Sequence, residues 1–212
     1  MRVRTARRYI LRVGPDGTLR VTIPRGGSRA EAANFMRKHV AWVARERARA
    51  RQVQAPVRWT AGSTILLDGE PATIVIEEAA GGLVARYGGR SVHIIDPSNV
   101  RADVERDLRD LARERLMARL ATLAAELGLS VTKITIRNQR SRWGSCSRKG
   151  AIALNFRLVQ MPPAVADYVL IHELTHLKQQ NHGRRFWRLV EGACPSFRDA
   201  ERWLRHHGRS LF

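Results

Sequence analysis

The sequence predicts an α+β fold: a basic, strand-rich N-terminal region over residues 1–97 and a C-terminal domain over 98–212 made mostly of helices. Three observations carry this prediction. Short runs of alternating apolar residues, separated by glycine-containing turns, recur up to residue 95. After residue 98 the apolar residues fall at helical spacing. Two strand-like stretches, "VTKITIR" and "GAIALNFRLV", interrupt the helical half.

The elements follow in order. In "RRYILRVGPDGTLRVTIP", Tyr9, Leu11 and Val13 alternate, as do Leu19, Val21 and Ile23, with Pro15-Asp16-Gly17 as a hairpin turn. A helix then opens at Ser28, which forms a capping box with Glu31. Phe35, Met36, His39, Val40 and Val43 make its apolar stripe, on which His39 reads as a packed side chain and not a ligand. Two hairpins are expected around Asp68-Gly69 and Gly88-Gly89; His93 lies in a strand pattern with no partner motif. Asp96-Pro97-Ser98 signals the start of a long helix, from about Val100 to Leu127, that stops at Gly128. Leu108, Leu111, Leu116, Leu120 and Leu123 line its apolar face. After the two strands, Pro162-Pro163 opens a further helix, since first-turn N–H groups have no intrahelical partner. Shorter helices follow around Arg184–Glu191 and Phe197–His206.

An apolar content of 44% over 212 residues excludes a disordered chain and supports a sizeable core. No apolar run approaches the ~20 residues of a membrane-spanning helix. The N-terminus lacks a signal-like apolar stretch, and only two cysteines occur, Cys146 and Cys194, so a soluble, cytoplasmic protein is expected. The formal net charge is +19, and lysine supplies only four of the 38 basic residues. Charge is uneven: residues 1–60 carry +12, residues 61–97 carry −3 and the remainder +10.

The chemistry concentrates in "LIHELTHLKQQNHGRRFW". His172 and His176 are four residues apart and so share one face of a helix. Two imidazoles in that geometry reach one ion, and zinc suits them. Glu173, next to the first ligand, is positioned to take a proton from a metal-activated water. A helix burying two histidines and a glutamate would be costly without an ion to pair them. The third ligand is favoured to be His182, provided the helix ends before it; Asn181 and Gly183 suit such a stop. The spacing equals that of the metzincins, although Gln179 stands at their turn-glycine position. Glu191 and Glu201 are rival third ligands, and a helix-capping role for His182 is the plain alternative. Cys146 and Cys194 form no C-x-x-C pair, which argues against a structural four-ligand site and for a catalytic one.

The segment "RNQRSRWGSCSRKGAIALNFRLVQMPPAVADYVLIHELTHLKQQNHGRRFW" resembles the YgjP-like metallopeptidase family, related to SprT-like and WLM zincins. "RWGSCS", "LNFRL" and the histidine helix followed by "NHGRRFW" carry the resemblance, most specifically over about 137–203. It implies a small gluzincin-like zincin domain, one zinc held by His172, His176 and His182, and Glu173 as base. The expected activity is hydrolysis of peptide bonds in a peptide or protein substrate, by a zinc-activated water. The segment "RSRWGSCSRKG", or the strand through Leu154 and Asn155, is a candidate to pair with an extended substrate. Arg142 or Asn155 is a candidate to stabilise the oxyanion. Against these stand structural roles: Trp143 in the core, Gly144 in a turn, Arg142 in an ion pair. The alternative function is a nucleic-acid-associated protein with a structural or vestigial zinc site, or a protease acting on DNA-bound proteins; the basic run "RERARARQ" supports weak, non-specific binding to phosphate.

Overall fold

In the computed structural model the structure describes residues 6–14, 17–51 and 57–212, with side chains of 49–51 excepted. Two compact units emerge, Met1–Val57 and Arg58–Phe212.

In the first unit, β1 (Ile10–Val13) pairs antiparallel with β2 (Leu19–Thr22), Ile10 opposite Thr22 and Val13 opposite Leu19. This is the expected hairpin, although Pro15 and Asp16 of its turn lie outside the described residues. The capping box at the start of α1 (Arg29–Lys38) is present: Ser28 Oγ accepts from the Glu31 amide at 3.0 Å, and the Glu31 carboxylate accepts from the Ser28 amide at 2.9 Å. The single helix expected through His39 is instead two. α1 ends at His39, and α2 (Val40–Arg51) begins after it. His39 is exposed, not packed inside. Its ring leans on Phe35, 4.5 Å between centroids, and its Nδ1 sits 2.9 Å from the Phe35 carbonyl, which competes with continuation of the helix.

The second unit begins with the hairpin β3 (Thr64–Leu67) and β4 (Glu70–Thr73). Asp68 (φ 53°) and Gly69 (φ 86°) form its two-residue turn, both in the left-handed region that such a tight hairpin demands. A meander follows: β5 (Val75–Ala79), β6 (Gly82–Tyr87) and β7 (Arg90–His93). α3 (Arg101–Glu126) stops where Gly128 adopts φ 63° and the Leu129 amide reaches back to the Ala124 carbonyl at 2.8 Å. A three-stranded sheet has the order β8-β10-β9: β10 (Ala151–Asn155) runs parallel to β8 (Lys133–Arg137) and antiparallel to β9 (Gly144–Cys146). The stretch expected to continue as strand through Val159 turns at Asn155 into a 3-10 helix, Phe156–Gln160, because the Asn155 side chain caps the Arg157 amide. Then come α4 (Pro163–Thr175), α5 (Arg184–Ala193) and α6 (Phe197–His207).

Residues 58–97, read from sequence as part of the N-terminal region, belong to the second unit. Ile65, Leu67, Ile74, Ala85 and Tyr87 share one core with Val104 and Leu108 of α3 and with Phe156, Leu170 and Leu174. The Asp68 and Gly69 amides donate to the carbonyls of Val159 and Gln160, at 2.9 and 3.2 Å. Alternation in a sequence reports which face of a strand is buried, not what covers it, so this partnership is absent from the local pattern. Among the described residues no helix is long and apolar enough to cross a membrane.

Candidate metal centre

α4 starts with Pro163 at its first turn and buries Val165, Val169, Leu170 and Leu174. Glu173 is buried with them, and His172 is half-buried. The helix closes at His176, earlier than the Asn181–Gly183 stop expected from sequence. Successive short bonds end it: the amides of His176, Leu177 and Lys178 donate to the carbonyls of Glu173, Leu174 and Thr175 at 3.2, 3.0 and 3.0 Å. This tightening needs no left-handed residue, and neither Asn181 nor Gly183 has positive φ. Gly183 lies in extended conformation as the N-cap of α5, and His182 just before it returns to α4.

There the nitrogens of His172, His176 and His182 lie within 4.8 Å of one another. His172 Nε2 and His182 Nε2 are 3.0 Å apart. The edge of a tetrahedron with metal–nitrogen bonds near 2.0–2.1 Å is about 3.3 Å, so the pair is set close to the span that one ion would bridge. His176 Nδ1 lies 3.2 Å from the Gln179 carbonyl; donating there leaves the Nε2 lone pair for a metal. Burial pushes the His172 imidazole down to about 4, helped by the neighbouring His176 and His182, and burial also lowers His176. Both rings are therefore neutral near pH 7, the form that ligates. The buried Nδ1 of His172 has no hydrogen-bond partner among the described residues. Phe186, fully buried, packs against all three rings at centroid distances of 4.9, 4.7 and 4.6 Å. Three imidazoles gathered on an apolar floor fit a bound metal ion.

The converging group contains no carboxylate and no thiol. Glu201 accepts a hydrogen bond from Tyr168 at 3.2 Å, and Glu191 lines an open groove beside His182. Cys146 and Cys194 are both free; burial pushes the Cys146 thiol up to about 11, with the Glu173 charge adding to it.

Glu173 is 6% exposed, and burial raises its carboxyl to about 7 against the pull of Arg142. It lies directly against β9. A Cβ at Gly144 would stand 2.6 Å from Glu173 Cγ and 2.7 Å from its Oε1, so only glycine leaves the carboxylate room there. Gly144 thus sits in a strand and not in the turn that its sequence context suggested. The Asn155 amide donates to the Trp143 carbonyl and the Ser147 amide to that of Ala151. The intervening antiparallel phase therefore points the N–H and C=O of Gly144 and Cys146 away from β10, along the outer edge of the sheet.

Two sequence-based candidates are corrected here. β10 is the central strand, so Leu154 and Asn155 have no free edge to offer a substrate. Asn155 is also fully buried, and its Nδ2 donates to the carbonyls of Gln139 and Arg142 at 2.7 and 3.1 Å while its Oδ1 accepts from the Arg157 amide. With these bonds made, it has no donor for an oxyanion. Arg142 is exposed and interacts electrostatically with Glu173. The sequence reading passed over Phe186 and the Gln179 carbonyl. The first carried a signal, an aromatic in "NHGRRFW"; a backbone carbonyl carries none.

No curated protein matches the chain. The solved metallopeptidase zymogen abylysin of Pyrococcus abyssi is similar at 29% identity, over 44% of this chain and 95% of that one, with a TM-score of 0.40. A family model described as "YgjP-like, metallopeptidase domain" matches residues 7–207. With nearly the whole chain matched, the protein that carries this histidine cluster belongs to the YgjP-like metallopeptidase family.

Proposed function

We propose that this metallopeptidase is a zinc enzyme holding one ion through His172, His176 and His182, with Glu173 as its general base. The observation that carries the reading is the meeting of three imidazoles, those of His172 and His176 neutral near pH 7, next to the buried Glu173 carboxylate. Zinc supplies Lewis acidity, making water nucleophilic near neutral pH and polarising a carbonyl.

The chain's own residues do the rest. The outward N–H and C=O groups of Gly144 and Cys146 pair with an extended peptide and align its scissile bond beside Glu173. Glu173 takes a proton from the attacking water and delivers it to the departing amine. Its raised affinity for the proton suits both halves of that transfer. Arg142, exposed beside Glu173, steadies the charge that develops on the carbonyl oxygen. Phe186 keeps bulk water from the back of the histidines. The two free thiols, Cys146 and Cys194, favour a cytoplasmic location.

Purified protein is expected to contain about one zinc per chain by elemental analysis, and Glu173→Gln to keep the zinc while hydrolysis falls by about two to four orders of magnitude. Undiminished turnover by this variant would remove Glu173 from the mechanism. A second reading concerns partners: the +12 charge of residues 1–60 favours weak, sequence-independent nucleic-acid binding. Arg45 and Arg47 are exposed on α2, whereas the side chains of Arg49 and Arg51 lie outside the described residues.

A further inference from the structure

We infer that the groove on the α5–α6 side of His182 receives an acidic segment of the peptide substrate; this rests on the peptidase reading above.

The groove begins at the metal centre. His182, Trp187, Arg188 and Glu191 line a cleft of about 660 Å³. A second cleft, of about 480 Å³, shares Trp187 and Glu191 with the first and adds Arg198, Arg202 and Arg205. The two adjoin at Trp187 and Glu191, and the first reaches His182.

Its lining is locally cationic. Along α3 the arginines are matched: Arg101, Arg106, Arg109, Arg113, Arg115 and Arg119 each form an ion pair. In the groove, as at the exposed Arg137, Arg140, Arg148 and Arg185, ion pairing is sparse among the described residues. Arg202 pairs with Asp199 at 3.2 Å, but no ion pair is formed by Arg184, Arg188, Arg198 or Arg205 among the described residues. All five of these arginines are exposed, and the carboxylates of Glu191 and Glu201 are too few to balance them. Unpaired guanidiniums beside the indole of Trp187 suit planar, bidentate recognition of carboxylates, with an apolar wall for the side-chain stems. Glu191 and Glu201 also interrupt the cationic lining. That break disfavours the evenly spaced phosphates of a nucleic acid and leaves separate carboxylate seats.

The test uses zinc-loaded, full-length Glu173→Gln protein, so binding is read without cleavage. Two fluorescent peptides of equal length are titrated at low and high salt, one with glutamates and one with glutamines at the same flanking positions. The acidic peptide is expected to bind roughly tenfold more tightly at low salt, an advantage that shrinks as salt screens it. The added pair Arg188→Glu and Arg205→Glu should abolish or invert the preference, with zinc content and the circular dichroism spectrum checking the fold. Equal binding of the two peptides overturns the proposal. So does a preference that survives the charge reversal. So does a single-stranded oligonucleotide that displaces the acidic peptide from the parent protein and loses its own binding in the reversed variant. Hydrolysis of the same peptides by the wild-type enzyme is measured separately. If nothing is cleaved yet the acidic peptide binds as described, the peptidase reading fails for these chains and with it the groove's role toward a substrate, while its preference for acidic segments stands.

Discussion

At the scale of single residues, the metal centre depends on what is missing as much as on what is present. Gly144 offers its Cα to the Glu173 carboxylate, and any Cβ would stand inside contact distance of three of its atoms. Gly144→Ala is therefore expected to leave zinc content unchanged and reduce kcat about tenfold to hundredfold, by displacing Glu173 from the position the proposed base needs. In a Glu173→Gln background the same change should have almost no further effect; additive losses would show that Gly144 acts some other way. His182 belongs to the loop before α5, unlike His172 and His176 on α4. His182→Ala is expected to lower zinc affinity strongly without altering the helical circular dichroism signal. If Glu191→Ala were instead the change that released zinc, the ligand set would need a carboxylate.

At the scale of elements, polar bonds at buried sites fasten the strands and turns to α3. Arg157, on the 3-10 helix before α4, is 5% exposed. It reaches Glu105 of α3 at 3.1 Å and Asn138 at 2.6 Å, and stacks over Phe156. Glu105 keeps Arg101 and Arg109 as partners when Arg157 is removed, so Arg157→Met should destabilise the fold by about 1–3 kcal/mol in urea titrations, through the lost bonds to Glu105 and Asn138. The β6–β7 hairpin is tied similarly, Tyr87 and Arg90 both bonding Asp107, with Arg90 at 2.6 Å. Burial acts to raise the Asp107 carboxyl, but the bonds from Arg90 and Tyr87 outweigh it and hold it below the ordinary range. A carboxyl depressed in the folded state stabilises above its unfolded pKa, near 3.9, and loses that contribution as pH falls through the lower folded value. Asp107→Asn should accordingly show a smaller difference between its urea midpoints at pH 7 and pH 3 than the wild type.

At the scale of the whole molecule, the main core draws every member from residues 65–211, and the histidine cluster lies in the same unit. A fragment spanning Arg58–Phe212 is expected to unfold cooperatively and to bind zinc with the affinity of the full chain. Loss of either property would assign Met1–Val57 a structural part in the centre. The N-terminal charge is tested by titrating the full chain with duplex and single-stranded oligonucleotides. Binding, if it rests on phosphate neutralisation, falls steeply between about 50 and 200 mM salt.

The sequence by itself determined most of the local elements and the H-E-x-x-H spacing of His172 and His176, and it favoured His182 over the glutamates as the third group to converge. Helical spacing, turn glycines and a capping box act over a few residues, so each is legible without the rest of the chain. Tertiary structure decided what depends on distant partners. It put residues 58–97 on the core of α3, made β9 and not β10 the open edge, and enclosed Asn155 where the sequence left it free to act. It also brought Gly144 beneath Glu173, 29 positions later in the chain. Those relations arise from which surfaces pack and which backbone groups remain unpaired. Neither quantity is encoded in the spacing of residues along one segment, and both appear only when the whole core has formed.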